Sequence, residues 1–181
     1  MDFCIGQITG TVSDYLTLNT TNAKANSSTF YQSYTSDSNT TFTVGVSSAD
    51  EMNRNTGGTA RTYVSYCFAE IEGYSKFGSY TGNGNADGAF VYTGFRPAWV
   101  LVKRTDSTNN WMLSDSVRDT ANVVTNLLYA NLSNAEYALA HLDFTSNGFK
   151  LRTSNASWNA SGGTYIYMAF AENPFKYANA R

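Results

Sequence analysis

Two stretches of this chain, about a hundred residues apart, are nearly the same peptide. "TYVSYCFAE" runs from Thr62 to Glu70, and "TYIYMAFAE" runs from Thr164 to Glu172. Thr62, Tyr63, Val64, Phe68, Ala69 and Glu70 match Thr164, Tyr165, Ile166, Phe170, Ala171 and Glu172, each 102 residues on. Both peptides follow a pair of glycines, Gly57-Gly58 and Gly162-Gly163. Upstream, "TFTVGV" (Thr41 to Val46) matches "GFKLRT" (Gly148 to Thr153), with Phe42 against Phe149 at an offset of 107. Earlier still, Asn19, Asn22 and Ala23 match Asn131, Asn134 and Ala135 at an offset of 112. Three blocks in the same order, with small changes of spacing, predict two related modules that differ by insertions in surface loops.

The blocks read as strands. Both copies of the long peptide are dense in aromatic and β-branched residues and are bounded by Gly, Asn or Pro. They are apolar at nearly every position, which predicts that both faces are covered. Ala140 to Thr153 reads as a hairpin: Leu142 and Phe144 alternate with polar neighbours, "SNG" turns the chain, and Phe149 and Leu151 resume the alternation. Ala98 to Arg104 is a further strand, expected to pair with Asn110 to Asp115 across the polar turn "TDSTNN". Only Ser116 to Leu128 has room for a helix, and its Val and Thr content argues against one.

Composition agrees with this reading. The 181 residues are 42% hydrophobic and 15% aromatic but only 14% charged, below the quarter or so of ordinary domains. The expected fold is therefore all-β: two homologous antiparallel β-sandwich modules of jelly-roll-like kind. Residues 1–80 form the first, 81–94 a Gly/Asn-rich linker and 95–181 the second. The first module is incomplete, because nothing before "NTTNA" matches the pair "GFRPAWVLVKR" and "NWMLSD". A sheet short of two strands exposes an edge and half a core. A fragment of a longer protein, or a covering chain or domain, would account for this.

Several function classes are disfavoured. A net charge of −2 argues against nucleic acid, whose phosphates need a basic face. No apolar run reaches the length of a membrane span. The start, "MDFCIGQITG", lacks the basic region and long apolar stretch of a signal peptide. Cys4 and Cys67 make no disulfide framework, and Cys67 reads as a small buried hydrophobe within its strand.

Candidate chemistry is sparse. His141 is the single histidine, no Gly-x-Ser-x-Gly motif is present, and a structural histidine is expected. Glu70 and Glu172 hold equivalent repeat positions, so they are not read as a facing pair. Asp115 and Asp119 are the better pair of carboxylates. "NGNADG" places Asn83, Asn85 and Asp87 at the alternate positions of a calcium loop. Only Asp87 is charged, and Gly94 stands where the bidentate carboxylate belongs, so a Ca2+ site and a plain glycine-rich turn are both open. No other cofactor is expected. "SNASWNASGG" offers Trp158 between Asn155 and Asn159, an aromatic platform with amides that fits sugar stacking if the ring is exposed. The alternative is a ring tucked back onto its own sheet or held at a subunit contact. Asn-x-Ser/Thr triplets at Asn19, Asn26, Asn39, Asn131, Asn155 and Asn159 follow from an Asn-, Ser- and Thr-rich composition.

Three runs carry a resemblance: "GFRPAWVLVKRTDSTNNWMLSDSVRD", "DFTSNGFKLRTS" and "SGGTYIYMAFAENPFK". In that order they resemble a β-rich domain that recurs, often in tandem, in virion and tail-fibre-like proteins of tailed phages, notably marine ones. Gly73 to Pro97 resembles the segment that joins successive copies there. The resemblance implies a non-enzymatic virion component made in the bacterial cytoplasm, with other virion proteins as partners. It further implies a homotrimer, and a host-surface glycan as the target of a tail fibre or spike. A capsid decoration or head-fibre protein is the alternative, and a carbohydrate-active enzyme the third.

Overall fold

A computed structural model describes residues 14–26 and 62–173, together with the strand backbones at 4–6, 55–56 and 59–60. The fold is all-β, as expected. β1 (Cys4–Gly6), β2 (Asp14–Thr17) and β3 (Ala25–Asn26) form a small antiparallel sheet in that order. β4 (Asn55–Thr56) and β5 (Thr59–Ala60) pair as a short ribbon. The remaining strands are β6 (Ser75–Thr81), β7 (Phe90–Tyr92), β8 (Pro97–Arg104), β9 (Trp111–Asp115), β10 (Val124–Tyr129), β11 (Tyr137–Thr145), β12 (Gly148–Leu151) and β13 (Thr164–Ala171). They make one eight-stranded sheet in the order β6-β13-β8-β9-β10-β11-β12-β7. Its neighbouring strands all pair antiparallel, and it nearly closes into a barrel around its own core instead of stacking as two sheets.

The side-chain alternation of the strands explains the packing. Val100 and Val102 of β8, Met112 of β9 and Tyr165, Tyr167 and Ala169 of β13 point inward. They meet Val124, Leu127, Leu142, Phe144, Phe149 and Leu151 from the other side. The outward positions Trp99, Leu101, Trp111, Leu113, Ile166 and Met168 are apolar too, and Leu16 and Leu18 cover them. Each Val, Leu, Phe or Met among them that is fully buried contributes about 1.5–3 kcal/mol. The Trp111 indole N–H donates to Thr17 O at 3.1 Å, and Lys24 N donates to Thr105 O at 2.8 Å, fixing the cover in place. Lys103 has no exposed surface; its ammonium donates to Thr21 O at 3.3 Å and Arg104 O at 2.8 Å, and burial lowers its pKa to about 8. The doubly apolar pattern of β13 thus has its expected cause.

The hairpin, the pairing of β8 with β9 and the interior place of β13 follow the sequence reading. Ser116 to Leu128 is not helical: its second half is β10. Residues 81–94, expected as a linker, contribute to the sheet instead, since β7 closes against β12. Gly148 makes that closure possible, because a Cβ there would stand 2.1 Å from Val91 O.

The largest departure concerns Thr62 to Glu70. This expected buried strand joins no ladder, and each of its nine residues is exposed. Cys67 is an exposed free thiol and not a buried hydrophobe. Thr41 to Val46 and Gly57-Gly58 lie outside the described residues. The third matched block shows a structural likeness. On β2, Asp14 pairs with Asn26 and Tyr15 with Ala25; on β10, Asn126 pairs with Ala138 and Leu127 with Tyr137, each 112 residues on. β1 sits on β2 (Cys4↔Thr17, Ile5↔Leu16) as β9 sits on β10 (Met112↔Tyr129, Leu113↔Leu128).

Candidate functional site

The residues expected to bind gather around one corner of the barrel, where the loop after β6 meets the loop before β13. Asn155 caps a single helical turn, α1 (Ala156–Asn159), by accepting from Ser157 N at 2.8 Å. That turn directs Trp158 and Asn159 inward. Trp158 has no exposed surface and packs on His141 with ring centroids 4.5 Å apart. The expectation of an exposed sugar platform is therefore corrected: of the three residues only Asn155 is exposed. Local sequence suggested exposure because the neighbours are small and polar, but the capped turn sends the ring into the core.

Asn159 is buried and joins the two loops. Its Oδ1 accepts from Asn83 N at 2.8 Å. Its Nδ2 lies 2.8 Å from Asn83 Oδ1, 2.8 Å from Asn85 O and 2.9 Å from Thr153 O. The calcium-like spacing is thus built into the fold. Asn83 Oδ1 also accepts from Asn85 N, and Asn85 Oδ1 accepts from Asp87 N, each at 3.0 Å. Asp87 faces Lys150 at 2.9 Å and Arg152 at 3.7 Å. The Lys150 ammonium holds its carboxyl below the ordinary value. In this arrangement these oxygens serve the turn, and two cations occupy the approach to Asp87. Among the described residues no group of three or more His, Cys, Asp or Glu is placed to hold a metal ion.

His141 is fully buried. Its Nδ1 bonds Leu139 O, a pure acceptor, so Nδ1 carries the proton and Nε2 accepts from Ser114 Oγ at 2.6 Å. Burial lowers its pKa below the usual 6.5. The sign follows directly. Below pH 6.5 the unfolded histidine takes a proton that the folded one refuses, so its stabilising effect is complete above 6.5 and lost as pH falls toward the folded value. Unfolding free energy should therefore decrease from pH 7.5 to 5.5, and the slope should flatten in His141→Gln; urea titrations at both pH values check this.

The carboxylates are likewise engaged. Asp115 accepts from Val117 N and Arg118 N at 3.0 and 2.8 Å and pairs with the Arg118 guanidinium at 2.6 Å. Burial works against its charge, but the bonds from Arg118 prevail and its pKa is lowered. Asp119 accepts from Thr125 N at 2.9 Å and Asn126 N. Glu70 pairs with Lys76 at 2.7 Å, and Glu172 with Arg96 at 2.9 Å.

Two surface features were not anticipated. A cleft of about 330 Å³ is lined by Leu18, Asn19, Ala130, Asn131, Leu132 and Ser133. It brings the matched asparagines of the repeat, Asn19 and Asn131, to one place; the match was visible in the sequence, the juxtaposition was not. The second is the exposed apolar run with Tyr63, Val64, Tyr66 and Phe68, where Val64 and Tyr66 each keep 81% of their surface. No helix among the described residues is long and apolar enough to cross a membrane.

An all-β near-barrel with an exposed strand-like segment and polar groups turned to structural work defines the class. Residues 3–174 match a family described as a domain of unknown function, DUF7483, and the chain belongs to that family. No curated protein and no solved structure matches it.

Proposed function

We propose that this chain is a non-enzymatic structural component of a phage virion, a tail-fibre or spike element that contacts the host surface. The observation that carries the reading is the exposed aromatic run Thr62–Glu70 beside a well-packed barrel. Contiguous apolar surface of this kind suits contact with other protein chains. Support also comes from His141, Asp115 and Asp119, whose polar atoms are committed to internal bonds. The shared register of β1-β2-β3 and β9-β10-β11 supports a reading as two copies of one module, the first incomplete. Host contact falls to exposed aromatics such as Tyr92 on the edge strand β7 and Tyr137, not to Trp158. Weak single contacts gain through several copies acting together.

Light scattering on the purified chain tests the assembly. A homotrimer, three times the 19.8 kDa chain, is expected. A stable monomer would remove the trimeric fibre. Binding of the labelled protein to host cells supports adhesion; binding to capsids alone supports a decoration role. Turnover of a surface polysaccharide would overturn the non-enzymatic reading.

A further inference from the structure

We infer that residues 17–24 form a lid over the outer face of the barrel, and that this lid closes more tightly when the Lys103 ammonium gives up its proton. The inference stands whether or not the protein belongs to a virion.

Along β8, Trp99, Leu101 and Lys103 alternate with the inward Val100 and Val102, so the lysine stands on the outer face. Its ladder neighbours are Trp111 on β9 and Ile166 on β13. A lysine on the outside of a sheet normally reaches water. Here the lid lies over it, and none of its surface is exposed. The ammonium donates to Thr21 O of the lid at 3.3 Å and to Arg104 O at 2.8 Å. Two carbonyls serve two of its three N–H groups and supply no counter-charge. The nearby charges are paired with one another: Arg104 with Asp106 at 2.9 Å, and Lys24 of the lid with Asp14 at 2.5 Å. A buried charge without an ionic partner is costly. The cost is relieved by losing the proton or by lifting the lid.

The lid is joined to the barrel without a shared ladder, since β1, β2 and β3 make a sheet of their own. Among the described residues, Lys24 N donates across the boundary to Thr105 O and Asn109 N to Thr21 O, each at 2.8 Å. The Trp111 indole N–H reaches Thr17 O at 3.1 Å, and Leu16 and Leu18 add apolar contact. A segment held by a few such bonds opens at a lower free energy than the strands beneath it.

The direction of the pH effect follows from linkage. With the lid closed, burial lowers the Lys103 pKa from 10.5 to about 8; Arg104 adds to the lowering and Asp106 opposes it. With the lid open, the side chain meets water and regains its ordinary value. The open form therefore binds the proton more strongly. Closure is strongest above pH 10.5 and weakens as pH falls through 8. Between pH 7 and pH 9 these two values give about a tenfold fall in the opening constant. Asp106, held at about 2 by Arg104, stays charged throughout that range. So does Asp14, whose pKa Lys24 lowers, and so does Arg104, whose pKa Asp106 raises.

Hydrogen exchange on the full chain at pH 7 and pH 9, corrected for intrinsic rates, tests the lid. Lys24 N, Asn109 N and the Trp111 indole report on it, and Met168 N reports on the barrel. The lid protons are expected to exchange through an opening of their own, more frequent than that of Met168, and about tenfold rarer at pH 9 than at pH 7. The Lys103 Cε shift should titrate near pH 8. Lys103→Met keeps an unbranched stem without the charge and should abolish the pH step, while Thr21 O keeps its bond from Asn109 N. Three results would overturn the proposal: one opening constant for the lid and Met168, lid protection that is flat or falls from pH 7 to pH 9, or the same step in Lys103→Met.

Discussion

Trp158→Ala should lower the unfolding free energy by about 3–5 kcal/mol, the range for removing a large aromatic from a packed core. The indole has no exposed surface, belongs to the main core cluster and rests on His141. Its backbone carbonyl also receives the Tyr80 hydroxyl at 2.9 Å, which ties α1 to β6. Alanine keeps that carbonyl but leaves a cavity between His141 and the surrounding strands. The measurement is urea denaturation with an unchanged slope and a reduced midpoint. A loss under about 1 kcal/mol would be the surface value and would place the ring outside the core. A surface sugar platform makes the opposite forecast, with full stability and lost ligand binding.

Asn159→Asp should cost about 3–5 kcal/mol at neutral pH, the penalty of a buried charge without a partner. One amide satisfies both loops here. Its Oδ1 takes the Asn83 N–H, while its Nδ2 serves Asn83 Oδ1, Asn85 O and Thr153 O. Aspartate would set a carboxylate oxygen against three acceptors. Burial would raise the pKa of the new acid, so part of the loss should be recovered as pH falls and the carboxyl protonates. Asn159→Ala removes the partner without adding charge and should cost about 2–4 kcal/mol, because several buried groups are left unsatisfied. Thermal unfolding of the three proteins at pH 7.5 and pH 5 separates the cases. Equal stability of Asn159→Asp and the parent would show that the clamp contributes nothing.

Both residues stood out in the sequence for the wrong reason. "SNASWNASGG" is polar around its tryptophan, and a polar loop with one aromatic resembles a binding surface. The stretch instead forms a capped turn whose inward side is Trp158 and Asn159. The partners that keep them inside, Asn83 and His141, lie 76 and 17 residues away in the chain and leave no mark on the local pattern. The spacing of Asn83, Asn85 and Asp87 was legible for a related reason. Alternating oxygens suit a cation and also suit a succession of Asx turns, and only the three-dimensional neighbours distinguish the two uses.

By itself the sequence determined the all-β class and two of the antiparallel pairings, β8 with β9 and β11 with β12. Alternation in Leu142, Phe144, Phe149 and Leu151, with "SNG" between, leaves a short-range antiparallel pair as the way to bury those side chains together. The matched asparagine block was visible there too, and β2 on β3 has the register of β10 on β11, 112 residues on. Only the tertiary structure decided which copy of the long peptide becomes a strand. Thr164–Ala171 has β6 and β8 beside it, so its N–H and C=O groups pair and both faces are covered. Thr62–Glu70 has almost the same residues but no such neighbours among those described, and it stays exposed. A β-strand obtains its hydrogen bonds from other segments and not from itself. Local pattern can therefore state that a peptide is fit for a sheet, while the presence of its partners decides whether it is in one.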